Sequence, residues 1–180
     1  MAGGQGRGDG LNEVPRRISV HGPSGSGKTR FARALGDRVG LTVHHLDRVF
    51  LSDDWTVRPA SAAMDDLGKI LRQPGWIVEG VNPESYVRRM AVADLVIVLH
   101  ASRFVRLARL VRRVLANRGR RAPDMPQGKP EALVASFLID AMRGRHERAI
   151  ESAVAQSGAA GRTIHLRGAS EVAMYLATAG

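Results

Sequence analysis

The strongest chemical signal lies in Gly22-Pro23-Ser24-Gly25-Ser26-Gly27-Lys28-Thr29. These residues fill every fixed position of G-x-x-x-x-G-K-[ST], the P-loop pattern. The chemistry this spacing implies is polyphosphate binding. Glycines let successive backbone N–H groups point into one concavity, and a helix starting at its far side adds the positive end of its dipole. Lys28 is expected to reach the β- and γ-phosphates, and the Thr29 hydroxyl to ligate Mg²⁺.

Two acids follow at the ends of expected strands, Asp47 and Glu79, where open α/β sheets place their ligands. Asp47 suits a hydroxyl acceptor, whose proton a carboxylate can take or orient. The alternative for Asp47 is a turn or helix-cap aspartate. A phosphate acceptor would need an arginine instead, and Arg89 is the candidate. Glu79 is expected to hold Mg²⁺ through water, or else to pair with a nearby arginine. Arg109, Arg113 and Arg118 are candidates for stabilising the transferring group, with Arg120 and Arg121 beside the bound nucleotide. Trp55 either stacks on an acceptor ring or anchors neighbouring helices. His44, His45 and His100 do not add up to a transition-metal site: no further ligand sits at helpful spacing, and adjacent strand residues point to opposite faces.

The elements that must position these groups alternate. Arg17–His21 reads as a buried strand entering the loop, and 28–39 as a helix with Phe31, Ala34, Leu35 and Val39 on one face, capped by Gly40. Strands are expected at 41–46, 76–79, 95–99 and 163–166. Trp76 is expected in the core, and Leu95-Val96-Ile97-Val98-Leu99, apolar on both faces, at the sheet centre. Helices are expected at 59–71, 83–92, 102–117, 131–155 and from a Ser170 cap to Leu176. This alternation predicts an α/β fold with a parallel sheet. In the helix after Ser102, Phe104, Leu107, Ala108, Val111 and Leu115 form an apolar stripe opposite Arg106, Arg109 and Arg113. The stripe is expected to pack inward, and the arginines to face phosphate or solvent.

At 180 residues the chain is expected to form one domain, residues 15–180, behind a glycine-rich disordered tail at 1–14. With 44% hydrophobic residues the composition is that of a soluble protein, and zero cysteines exclude disulfides and thiolate metal sites. The tail lacks the apolar region of a signal peptide, and no apolar run is long enough for a membrane span, so a cytoplasmic protein is expected. The net charge of +10 is concentrated between Ala101 and Arg148, where twelve basic residues face four acidic ones. Nucleotide phosphates are the simplest client for that charge; binding to nucleic acid is the alternative.

In order and spacing, these segments resemble the small adenylate-kinase-like P-loop kinases, most closely the DNA topology modulation (FlaR-like) group. The resemblance spans nearly all of Ile18 to Leu176. Beyond the P-loop it rests on His45-Leu46-Asp47, Phe50 with Trp55 and Pro59, Trp76-Ile77-Val78-Glu79-Gly80, and Arg89 five residues before Asp94. Arg109 with Arg113, Arg118-Gly119, Pro123-Asp124-Met125, Gly128-Lys129-Pro130-Glu131 and Ile164-His165-Leu166 complete it. It implies a nucleoside-monophosphate-kinase-like three-layer sandwich with a five-stranded parallel sheet, a core ATP site using Mg²⁺, an acceptor-binding region around 47–72 and a lid around 118–130. The implied activity is phosphoryl transfer to a nucleotide, nucleoside or similar small polar acceptor. The other class of reading is a nucleotide-binding regulator or nucleic-acid-associated NTPase. The chain departs from the group on the acceptor side. Where the group reads Asp-Gly-Asn it has Glu79-Gly80-Val81, and Glu84, His100 and Ala122 stand where a base, an acid and an arginine are usual.

Overall fold

Five strands, each feeding a helix or turn at its carboxyl end, form the frame: β1 (Arg17–His21), β2 (Val43–His45), β3 (Trp76–Glu79), β4 (Leu95–His100) and β5 (Thr163–Arg167). The computed structural model describes residues 15–52, 56–116 and 145–179. All pairings are parallel, in the order β2-β3-β1-β4-β5. The expected tail, Trp55, the lid with Arg118, Arg120 and Arg121, and the first part of the 131–155 helix lie outside the described residues.

Parallel strands buried on both faces read as continuous apolar runs, because alternate side chains enter different cores. Here Trp76, Val78, Val96 and Val98 enter one core, with helices α2 (Leu46–Phe50), α3 (Ala60–Leu71), α4 (Tyr86–Val92) and α6 (Arg145–Gln156). Ile18, Val20, Ile77, Ile97 and Leu99 enter the other, against α1 (Lys28–Val39) and α7 (Gly168–Thr178). Two apolar layers flanking one sheet make the expected three-layer sandwich. Among the described residues, no helix is long and apolar enough to cross a membrane.

Most expected elements stand within a residue or two. Gly40 ends α1 in the left-handed conformation (φ 68°), its N–H bonding the Gly36 carbonyl. The differences are local. The strand expected at 41–46 is only Val43–His45, because the backbone coils into α2 at Leu46. Asp47 therefore sits in the first turn of a short helix rather than at a strand end. The last helix starts at Gly168, before the expected Ser170 cap, with the Glu171 carboxylate accepting from the Arg167 N–H at 2.8 Å.

Helix α5 (Arg103–Ala116) reverses an expectation. Phe104 is 84% exposed and Val111 44%, whereas Arg106 is 1% exposed. The periodicity separates the two faces correctly, but Arg106 is turned into the protein and Arg109 reaches the loop between β1 and α1. On that side the Glu147 carboxylate pairs with Arg106 Nη2, and loop carbonyls accept from Arg109.

Candidate active site

The loop between β1 and α1 is built around left-handed glycines, with φ of 79° at Gly25 and 100° at Gly27. Gly25 also lies hard against α5: a Cβ there would fall 2.9 Å from the Arg106 carbonyl oxygen. Gly22 is as confined, since its Cβ would lie 2.6 Å from the Leu99 carbonyl oxygen of β4. The loop is thus wedged between the end of β4 and α5, and only glycine fits at these two approaches. The Pro23 carbonyl accepts from the Ser26 N–H (3.1 Å) and from Lys28 Nζ (3.0 Å), folding the lysine back over the loop.

Across from the loop stands Glu79, at the end of β3. Its Oε1 accepts from Thr29 Oγ1 at 3.0 Å and from His45 Nδ1 at 2.7 Å. The strand register places His45 directly beside Glu79. Burial raises the proton affinity of this carboxyl, but the His45 bond, the nearby charge of Lys28 and the Thr29 bond together outweigh it. Glu79 is held below its ordinary 4.5 and stays ionised. Its partner is a histidine, not the arginine weighed from the sequence.

Arg109 reaches the loop from α5, donating through Nη1 to the Gly25 carbonyl at 3.3 Å and the Ser26 carbonyl at 3.1 Å. Arg106, one turn earlier, is anchored by Glu147 of α6 at 3.0 Å. Arg113 lies further along the same helix. Lys28, Thr29, Glu79 and Arg109 therefore converge on one loop. Asp47 lies two residues beyond His45, exposed on α2.

Arg89 is placed differently. It is fully buried, and its Nη2 donates to His21 Nδ1 at 2.8 Å and approaches the Gly80 carbonyl at 3.4 Å. Arginine can only donate, so Nδ1 accepts and the Nε2–H of His21 donates to Ser19 Oγ at 2.7 Å. Burial, then the charges of Arg89 and Lys28, push His21 well below 6.5, so the ring is neutral. Burial also lowers Arg89 to about 10, and the Tyr86 ring stands 5.5 Å from its guanidinium carbon.

Sequence reasoning gave no role to His21 or Glu147, weighed His45 only as a metal ligand, and expected Arg106 to face phosphate or solvent. Two signals were available. Ser19 and His21 share one face of a buried strand, and buried polar groups require partners. His45 and Glu79 both end neighbouring strands.

No protein-family model matches the sequence, and no curated protein does. Solved structures do match in fold. A gluconokinase from Sinorhizobium meliloti 1021 aligns over 92% of this chain and 94% of its own, with TM-score 0.53 and 18% identity. A shikimate kinase from Acinetobacter baumannii, in complex with shikimate, aligns over 88% of each chain, with TM-score 0.55 and 16% identity. A shikimate kinase from Bacteroides thetaiotaomicron covers 91% of this chain and 95% of its own, with TM-score 0.52 and 16% identity. With its glycine loop between β1 and α1 and its five-stranded parallel sheet, the chain has the fold of the P-loop kinases.

Proposed function

We propose that this protein transfers the γ-phosphate of ATP to a hydroxyl group of a small polar molecule. The observation that carries the reading is the convergence of Lys28, Thr29, Glu79 and Arg109 on a loop whose glycines leave its backbone open to phosphate. Phosphoryl transfer depends on positioning and charge neutralisation more than on covalent help, and these residues supply both. The Thr29 hydroxyl and the ionised Glu79 are hard oxygen donors 3.0 Å apart, a set that fits magnesium. When bound with ATP, the ion neutralises charge on the phosphate oxygens. Thr29 would hold it directly and Glu79 through water, with His45 keeping the carboxylate aimed at the loop.

The acceptor side favours a hydroxyl. Arg89 presents no surface to an incoming phosphate, while Asp47 is exposed on α2, two residues beyond His45, and suits a proton-accepting or orienting role. The named activities of the gluconokinase and shikimate kinases fit this choice. The motif order along the chain agrees with the FlaR-like group, whose name records a cellular effect and not a chemistry. One observation favours a second reading, a phosphate-bearing acceptor such as a nucleoside monophosphate. Arg89 Nε and Nη1 have no hydrogen-bond partner among the described residues.

The test is ADP release from Mg·ATP against sugar acids, cyclitols, nucleosides and nucleoside monophosphates, with Lys28→Ala as control. Stimulation by a hydroxyl acceptor, lost in Asp47→Asn and Lys28→Ala, is expected. Stimulation by nucleoside monophosphates alone, lost in Arg89→Met, would select the second reading. ATP binding with no acceptor effect would move the protein to a nucleotide-binding regulator.

A further inference from the structure

We propose that His100, Glu151 and His165 form a binding site for a divalent transition-metal ion, with zinc the best match, that ties α6 to the sheet beside the phosphate loop. The proposal rests on the placement of these three side chains and is independent of the phosphotransfer reading. In the β4–β5 register Val98 pairs with His165, and His100 lies two residues beyond Val98, so both imidazoles project from the same face. Glu151 comes to that face from α6. The rings are stacked at 26° with centroids 5.2 Å apart, and His100 Nε2 lies 2.9 Å from His165 Nδ1. Glu151 Oε1 is 3.9 Å from the same Nδ1, and the three ligand atoms all lie within 4.8 Å of one another.

Ligand atoms around a tetrahedral zinc, at about 2.0–2.1 Å from the ion, stand roughly 3.3–3.5 Å apart. The observed separations bracket that value, so small side-chain rotations close the site. The ring that now donates in the His100–His165 contact need only carry its proton on its other nitrogen, and no proton is lost. Two imidazoles and one carboxylate suit zinc and its neighbours better than magnesium or calcium, which prefer oxygen alone. Both histidines are half-buried and Glu151 is exposed, so an ion can enter from solvent.

The site reaches the phosphate loop through α6. Glu147, one turn before Glu151, anchors Arg106, whose backbone carbonyl confines Gly25. An ion that fixes Glu151 therefore holds the same helix that braces the loop.

The experiment uses the full, untagged chain, freed of metal by chelator and kept free of nucleotide. It is titrated with Co²⁺ and then Zn²⁺, following visible cobalt absorption, calorimetric stoichiometry and melting temperature. The chain has no cysteine, so any four-coordinate cobalt spectrum comes from nitrogen and oxygen ligands. One ion per chain is expected, raising the melting temperature. Affinity should fall at least about 10-fold in both His165→Gln and Glu151→Gln, the scale seen when groups supporting a metal are removed. His44→Gln, on the far strand β2, should bind as the parent does. Glu151 is exposed, so its variant should fold even if His165→Gln does not. Absence of stoichiometric binding, or equal binding by parent and Glu151→Gln, would overturn the proposal and leave the three side chains a hydrogen-bonded cluster only.

Discussion

Helices α4 and α5 each deliver a buried arginine to the phosphate-loop end of the sheet, Arg89 beside His21 and Arg106 beside Gly25. Arg106 meets a carboxylate, Glu147, at 3.0 Å. Arg89 meets a neutral imidazole, a carbonyl and the face of Tyr86, and burial lowers it to about 10. A charge removed from water without a counter-charge weakens its own protonated form. The pairing on α5 fixes that helix firmly enough for Arg109, one turn on, to lie over the loop carbonyls. The arginine on α4 organises β1 from within, through His21 and Ser19. The same residue type thus braces the glycine loop from one helix and the strand beneath it from the other.

The sharpest way to break this contrast is Arg109→Ala. Loss of a preorganised cation at a phosphate site is expected to lower kcat by about 10²- to 10³-fold with little change in melting temperature. A smaller activity loss than that of Arg89→Met would reverse the roles of the two helices. Next in size, Gly25→Ala combines a left-handed backbone with a Cβ pressed on the Arg106 carbonyl. Urea unfolding should show a cost of about 2–4 kcal/mol. The paired arginines then separate by stability. Arg106→Met strands Glu147 and is expected to cost about 1–3 kcal/mol, moderated because Glu147 is partly exposed. Arg89→Met removes a buried charge that no carboxylate among the described residues touches, at the expense of its bonds to His21 and the Gly80 carbonyl, and should stay within about 1 kcal/mol of the parent.

The smallest effect is a pH slope. The folded-state value of His21 lies well below 6.5, so below that pH the unfolded chain binds a proton that the folded chain does not. Stability is therefore level above 6.5 and falls as pH drops through the window beneath it, by at most about 1.4 kcal/mol per pH unit for one group. His21→Asn should flatten the slope between neutral pH and pH 5 in a urea series. Part will persist, because His44 and His100 are also lowered, each chiefly by burial.

What could be read from the sequence, and what could not, divides along physical lines. The phosphate loop was legible because its glycines answer a local demand of backbone geometry. So was β4, because a strand apolar on both faces has one natural place in a parallel sheet. The orientation of α5 was not, because an amphipathic pattern separates two faces without saying which one the protein covers. Phe104 and Arg106 were assigned to the correct faces and the wrong surroundings. The His45–Glu79 contact depends on the register of two strands far apart in sequence. The His100–Glu151–His165 cluster likewise joins residues with no useful local spacing, so a search for neighbouring ligands passes over it.

The most direct test of the central claim is γ-phosphate transfer from labelled Mg·ATP to the best hydroxyl acceptor, measured in parallel for the parent, Lys28→Ala and Arg109→Ala. The account predicts labelled product from the parent and at least about a 100-fold loss in both variants. Product formed equally by all three, or ATP bound by the parent with no label passed to any acceptor, would contradict it.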